Sequence, residues 1–106
     1  MATAVMDDNL RLLLATIREV VAPERVYLFG SRARGTADAD SDYDLLAVVG
    51  DRRPARDLRL AVRRRLAESG IAFDLAIQTR DEFERWSRLP STLSGIVADS
   101  GVLLDG

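Results

Sequence analysis

Apolar and polar positions alternate along the chain with a period that changes from segment to segment. From Asp8 the apolar residues recur three and four positions apart, and Pro23 closes this segment. Residues 55–68 return to the same period, and Gly70 follows them as a stop signal. Both segments predict amphipathic helices that bury one face. Their apolar positions are Leu10, Leu13, Leu14, Ile17, Val20 and Val21 in the first and Leu58, Val62 and Leu66 in the second.

Short runs rich in β-branched and aromatic residues separate these helices. They cover residues 25–29, 43–49 and 71–78, and their length and composition are typical of buried strands. The sequence GVLLD near the C-terminal end indicates a closing edge strand. The order of elements therefore predicts an α/β (α+β) fold, in which helices flank a small mixed β-sheet.

The segment after the third strand contains helix signals. Thr79 and Glu82 have the spacing of a capping box, so a short helix is predicted to begin near Arg80. Phe83 and Trp86 follow one helical turn apart, and we expect both of them in the core. A last helical turn or two is predicted at Leu93, Ile96 and Val97.

Composition limits the class of protein. The chain has 106 residues, 47% of them hydrophobic, and we expect residues 1–106 to form one domain. No apolar run approaches the roughly 18 residues that span a bilayer, and the N-terminal MATAVMDDNL lacks the features of a signal peptide. We therefore expect a cytoplasmic protein without membrane contact. The net charge of −2 argues against nucleic-acid binding by the whole surface.

An acidic pair follows the first strand. Asp42 and Asp44 alternate with Tyr43, so both carboxylates should point to one side of a strand, with Cα atoms about 6–7 Å apart. The chain has no cysteine and no histidine, so any metal site must be built from oxygen ligands. Such a site favours magnesium or manganese over zinc.

A third carboxylate, Asp74, lies within the apolar run IAFDLAIQ, in a strand that we expect to be central. Alternation places it on the face opposite to Phe73, Leu75 and Ile77. If this strand pairs beside the strand with Asp42 and Asp44, three carboxylates converge. Three carboxylates suit two magnesium ions about 3.5–4 Å apart, an arrangement that supports phosphoryl or nucleotidyl transfer.

The Gly-Ser step supplies the complementary half of such a site. Gly30 follows a strand directly, and Ser31 is placed to begin a short helix whose free N–H groups face an anion. Arg32 and Arg34 are candidates for bidentate contacts to phosphate oxygens. The remaining acidic residues of this stretch, Asp38 and Asp40, are interpreted as a solvated loop.

Seven arginines crowd residues 52–65. Such a stretch is most often the polar face of a helix, and the alternative is a docking face for an acidic partner or RNA. The arginines are Arg52, Arg53, Arg56, Arg59, Arg63, Arg64 and Arg65.

The pattern of Gly30, Ser31, ten intervening residues, Asp42, one residue and Asp44 resembles the signature of the polymerase-beta-like nucleotidyltransferase superfamily. Within it the stretch FGSRARGTADADSDYDLLAVV is most similar to the minimal nucleotidyltransferase (MNT) antitoxins, whose toxins are HEPN-domain ribonucleases. The resemblance covers essentially the whole chain.

The resemblance implies a role for each motif residue. Asp42 and Asp44 would bind two magnesium ions, Asp74 would bind the catalytic one and help to deprotonate the acceptor hydroxyl, and Gly30 and Ser31 would hold the β and γ phosphates of ATP. The implied reaction transfers AMP from ATP to a tyrosine of the HEPN toxin. The short chain also implies that a second chain completes the acceptor site. Whether the protein forms a homo-oligomer or a hetero-oligomer stays open.

Two other functions remain open at this point. The chain is an antitoxin that neutralises its toxin by stoichiometric binding with silent carboxylates, or it is a nucleotidyltransferase that modifies a small antibiotic. Chain length argues against the antibiotic-modifying enzyme, because 106 residues leave no room for a second, substrate-binding domain.

Overall fold

The structure, a computed structural model, describes residues 6–106. Residues 1–5 lie outside the described residues. They belong to the predicted domain and to the N-terminal segment that lacks the features of a signal peptide. The elements are α1 (Asp8–Val21), β1 (Arg25–Phe29), α2 (Gly30–Arg34), β2 (Tyr43–Val49), α3 (Ala55–Arg65), β3 (Phe73–Thr79), α4 (Arg80–Trp86), α5 (Leu93–Ser100) and β4 (Val102–Asp105).

The four strands form one mixed sheet in the order β3-β2-β1-β4. Strand β1 pairs antiparallel with β2 and β4, and β2 pairs parallel with β3. The predicted mixed sheet and its closing edge strand are confirmed. The prediction of a central position for the strand of Asp74 is wrong, because β3 forms the other edge. A parallel pair needs a crossover, and α3 returns the chain to the side of β2 that β1 leaves open.

Strand β2 is buried between two layers of helices. One set of its side chains packs under α1 and α3, and the other set faces Phe83 of α4 and Val97 of α5. A strand that is buried on both faces is apolar without interruption, which explains the run LLAVV. The first set is Tyr43, Leu45, Ala47 and Val49, and the second is Leu46 and Val48.

Helix α1 confirms the first helical pattern. Its N-cap is Asp7, whose side chain accepts a hydrogen bond from the N–H of Leu10 at 2.7 Å. The helix ends before Ala22, which adopts a left-handed conformation with φ of 50°. Among the described residues no helix has both the length and the apolar character that a membrane span requires. The buried side of α1 consists of Leu10, Leu13, Leu14, Thr16, Ile17 and Val21.

Two predictions about the later helices need correction. Helix α3 ends at Arg65 and not at residue 68, because the Ser69 hydroxyl donates to the Leu66 carbonyl and closes a turn. The capping box at the start of α4 is confirmed, and Phe83 is buried against Tyr27 with ring centroids 5.3 Å apart. Trp86 is 42% exposed, so its prediction as a core residue is wrong. The seven-residue helix α4 buries Phe83 and leaves Trp86 turned outward.

Replacing Leu46 by alanine tests the layer between the sheet and α4. Leu46 is fully buried in this layer, and we expect Leu46→Ala to lower the free energy of unfolding by about 2–5 kcal/mol through the cavity it leaves. The matched control is Leu60→Ala, because Leu60 is 42% exposed and its truncation should cost about 0.5 kcal/mol or less. Urea denaturation measures both values, and equal losses would contradict this packing.

Candidate active site

Gly30 brings the backbone into contact with a carboxylate. It directly follows β1, begins α2 and has φ of 73°, a conformation that L side chains rarely adopt. A Cβ atom on this residue would lie only 2.2 Å from Oδ2 of Asp44. Only glycine therefore fits between the end of β1 and the Asp44 side chain. The predicted short helix is present, but it begins at Gly30 and not at Ser31.

Asp44 lies near the start of β2, where its backbone is opposite Phe29 of β1. Tyr43 points toward α1 and is 4% exposed, whereas Asp44 lies on the opposite face and is half-buried. Asp42 precedes the strand and is exposed. The alternation of Tyr43 and Asp44 is thus as predicted, but Asp42 belongs to the preceding loop.

Asp74 is the direct neighbour of Asp44 across the parallel pair of strands. The register matches Asp44 with Asp74, so the predicted adjacency of the two strands is confirmed. The Asp74 side chain is 69% exposed, and its Oδ1 lies 3.9 Å from a guanidinium nitrogen of Arg63 on α3. Asp42, Arg63 and Asp74 line one side of a shallow surface depression.

Burial, and after it the charges of Asp74 and Asp42, raise the pKa of Asp44 above its ordinary value. Arg34 opposes this effect. A carboxylate that is half-buried beside two like charges is stabilised by any added positive charge. The site therefore has the electrostatic character of a cation-binding site.

The three candidate ligands are carboxylates, and the chain has no cysteine or histidine to add sulfur or imidazole ligands. Such a set of oxygen ligands suits a hard divalent cation. The three carboxylates do not converge on one point. Within residues 6–106 no group of three or more acidic side chains is close enough to bind one metal ion jointly. Asp74 is directed toward Arg63 instead. Asp42 and Asp44 fit such an ion with Gly30 making room beside them, and Asp74 joins them only if its carboxylate leaves Arg63.

The two arginines of α2 have different surroundings. Arg32 is 18% exposed, and its guanidinium donates to the carbonyl of Ser41 through Nε at 3.0 Å and through a terminal nitrogen at 2.8 Å. Arg34 is exposed and has no carboxylate within 4 Å among the described residues, although its charge acts on Asp44. The sequence grouped both residues as phosphate ligands, and only Arg34 has a side chain available for that role.

Sequence reasoning missed two residues near the site, Asp7 and Tyr43. The Tyr43 hydroxyl donates to Asp7 Oδ2 at 2.7 Å, and the Arg32 guanidinium stacks 3.9 Å from the centroid of the Tyr43 ring. These residues are 36 positions apart in the chain, so no local pattern could have indicated the contact.

The loop before Asp42 is exposed, as predicted for Asp38 and Asp40. Asp38 has a structural role in addition, because its Oδ1 accepts hydrogen bonds from the Asp40 N–H at 2.9 Å and the Ser41 hydroxyl at 3.2 Å. This is a local turn that an aspartate stabilises.

Comparison with known proteins decides the family. The model of the nucleotidyltransferase domain matches residues 10–99. The chain belongs to the nucleotidyltransferase domain family. No curated protein sequence matches it. The matched segment contains every residue from Gly30 to Asp74 that the sequence indicated for the site.

Solved structures with a similar fold include two of toxin–antitoxin systems. A toxin–antitoxin crystallised with AMP-PNP is 25% identical, with a TM-score of 0.64 over 91% of this chain and 72% of that chain. A mutant MntA–HpeT toxin–antitoxin is 21% identical, with a TM-score of 0.63 and the same coverage. A Sulfolobus solfataricus protein described as a nucleotidyltransferase is 24% identical, with a TM-score of 0.57 over 97% of this chain and 87% of that one.

These findings confirm the α+β fold, the resemblance to MNT antitoxins within the polymerase-beta-like superfamily, and a nucleotidyltransferase as the class of enzyme. The candidate residues lie at the end of the sheet where β1 ends and β2 and β3 begin. The acceptor and the metal requirement are the subject of the next subsection.

A pair of glycines tests the contact between Gly30 and Asp44. Gly30 and Gly35 have φ values of 73° and 75°, but a Cβ on Gly35 would meet nothing within 4 Å. Gly30→Ala should displace the Asp44 carboxylate and lower the affinity for AMP-PNP with magnesium by about tenfold or more, because a methyl group there collides with the half-buried Asp44 side chain.

The control for this prediction is Gly35→Ala, which should cost about 1–2 kcal/mol of stability through its backbone conformation and change the affinity by less than about twofold. Isothermal titration calorimetry measures the affinities. Equal affinities for the two variants would show that the Asp44 carboxylate is not set by Gly30.

Proposed function

We propose that this chain transfers AMP from ATP to a hydroxyl group of a HEPN ribonuclease toxin, on a tyrosine, and thereby acts as the antitoxin of that toxin. The observation that carries the proposal is the fit of the Gly30 backbone against Asp44, with Asp74 paired beside it. Two solved structures with a similar fold are toxin–antitoxin systems, and one of them contains AMP-PNP. We take residues 1–106 to act as one nucleotidyltransferase domain.

Binding and orientation of ATP fall to the turn after β1. Gly30 and Ser31 offer backbone N–H groups to the β and γ phosphates, because the first N–H groups of a helix have no partner within it. Arg34 adds a guanidinium with a free, exposed side chain on the same helix. Arg32 remains a sequence prediction for phosphate binding that its present contacts do not support.

Asp42 and Asp44 would hold the magnesium ions, or manganese in their place, and Asp74 would join them at the catalytic position. Ions held there would supply positive charge to the phosphates and to the attacking and leaving oxygens. The exposed ion pair of Asp74 with Arg63, at 3.9 Å, is weak enough to open when Asp74 binds a metal ion.

The transfer itself breaks one bond and forms one. The acceptor oxygen attacks the α-phosphorus, the bond from that phosphorus to the bridging oxygen breaks, and pyrophosphate leaves. The proton of the acceptor hydroxyl passes to the Asp74 carboxylate, whose exposure leaves it accessible to an acceptor. No covalent enzyme intermediate is needed.

Removing two carboxylates tests catalysis against simple binding. In the Asp42→Asn, Asp44→Asn variant the side chains keep their shape, but each loses its charge and one of its two oxygens, so we expect transfer to fall by about a thousandfold or more. The assay incubates the toxin encoded beside this gene with the protein, ATP and magnesium, followed by intact-protein mass spectrometry. AMP-sized additions with the native protein, absent with the variant, would support the proposal.

The same experiment separates the two other functions. A toxin that forms a stable complex and is inhibited equally by the native protein and the variant, with no added mass, identifies a stoichiometric binder. Transfer to an aminoglycoside with no change in the toxin would identify an antibiotic-modifying enzyme. Either result contradicts the proposed reaction.

The arginine-bearing helix α3 is the candidate surface for the toxin. Among its five arginines, Arg63 and Arg65 lie within 4 Å of a carboxylate of the described chain, namely Asp74 and Glu19. The exposed residues Arg56 and Arg64 have no such partner in the described part. Positive charge on α3 therefore extends to the edge of the depression that Asp74 lines, and suits an acidic surface on the toxin.

Charge reversal tests this surface. Arg56→Glu with Arg64→Glu should weaken the complex with the toxin by about tenfold, mainly at low salt, because like charges would then face each other. The matched control is Arg85→Glu with Arg88→Glu, since it reverses the same number of charges outside α3. Biolayer interferometry measures both, and an equal change in the two variants would reject α3 as the docking face.

A further inference from the structure

The Arg32 side chain makes several contacts within the protein that a role in phosphate binding does not explain. Its guanidinium donates twice to the Ser41 carbonyl, at 3.0 and 2.8 Å, and lies 3.4 Å from the carbonyl of Asp38. The central carbon of the guanidinium also lies over the Tyr43 ring, 3.9 Å from its centroid. Its side chain is 18% exposed.

These contacts fall on the two residues that flank Asp42. Ser41 precedes Asp42 and Tyr43 follows it, so one guanidinium holds the backbone before Asp42 and the side chain after it. Asp42 itself precedes β2, and hydrogen bonds of the sheet therefore do not fix it directly. The first backbone bond after it joins the Tyr43 N–H to the carbonyl of Ala72 at 3.1 Å.

The far side of Tyr43 is anchored as well. Its hydroxyl donates to Asp7 Oδ2, and the same oxygen lies 3.9 Å from a terminal nitrogen of Arg32. Oδ1 of Asp7 caps α1. Helices α1 and α2 are thereby joined to the start of β2 through one network, in which Tyr43 is 4% exposed and the Asp7 side chain 40%.

Arg32 and Arg34 cannot serve one phosphate equally. Residues two positions apart in a helix lie about 200° apart around its axis. If the side chain of one of them faces the loop, the side chain of the other therefore faces away from the loop. Arg32 is the one that faces the loop, and the exposed Arg34 is the one whose charge acts on Asp44.

We infer that Arg32 is a positioning residue for Asp42: it holds the backbone before this carboxylate and the side chain after it, so that Asp42 is held ready beside Asp44 for a divalent cation. The inference rests on the proposed function, because it takes Asp42 and Asp44 as metal ligands. Partners that orient metal ligands commonly change metal affinity by about 10–100-fold when they are removed.

The test measures binding of manganese alone, by electron paramagnetic resonance of the free ion, to the purified full chain. Arg32→Ala should lower the affinity by about tenfold, and Arg32→Lys should fall in between, because an ammonium cannot donate through a planar fork and stack at once. The control Arg18→Ala removes an arginine with two contacts to Asp105, on the side of the protein away from the loop, and should leave the affinity unchanged.

Hydrogen exchange of the metal-free protein separates positioning from loss of the fold. In Arg32→Ala the amides of Ser41 and Tyr43 should exchange faster, while amides of β3 and α3 keep their native rates. Faster exchange along the whole chain, or native manganese affinity in Arg32→Ala, would overturn the inference.

Kinetics distinguish a positioning residue from a phosphate ligand. Arg32→Ala should lower kcat with little change in the KM for ATP, whereas loss of a phosphate contact raises that KM. A raised KM with native manganese affinity would assign Arg32 to the phosphates. A native protein that binds no manganese would refute the proposed metal site itself, so the two failures are distinguishable.

Discussion

Strand β2 lies between two layers of helices, and its residues from Leu45 to Val49 are at most 1% exposed. Because side chains alternate along a strand, a slip of one residue would put the Asp44 carboxylate under α1 and turn Tyr43 to the other face. The cost of burying a charge against an apolar helix excludes that register. The burial of β2 thus fixes which face carries Asp44, and the pairing with β3 then fixes Asp74 beside it.

The candidate site combines parts that are held to different degrees. Asp44 and Asp74 lie on paired strands of the sheet, whereas Asp42 belongs to a loop and its two neighbours, Ser41 and Tyr43, contact Arg32. Burial first, and then the charges of Asp74 and Asp42, raise the pKa of Asp44, so added positive charge would stabilise its carboxylate. The Asp74 carboxylate is paired with Arg63 at 3.9 Å.

Helix α2 shows how five residues provide two functions. Its glycine opens space against Asp44, and its two arginines point in different directions, one into the loop and one to solvent. The exposed Arg34 is available for phosphate, while Arg32 belongs to the framework of the site. Similar residues at neighbouring positions therefore have different roles, which follow from the 100° advance per residue of a helix.

The sequence by itself determined the elements, the acidic pair, the Gly-Ser step and the family resemblance, because each of these is encoded in local spacing. Alternation placed Tyr43 and Asp44 on opposite faces correctly, and the capping box located the start of α4. Tertiary structure alone decided that β3 is an edge strand, that Trp86 is exposed and that Arg32 binds the loop. These features depend on contacts between residues far apart in the chain, as between Asp7 and Tyr43, and periodicity carries no information about such contacts.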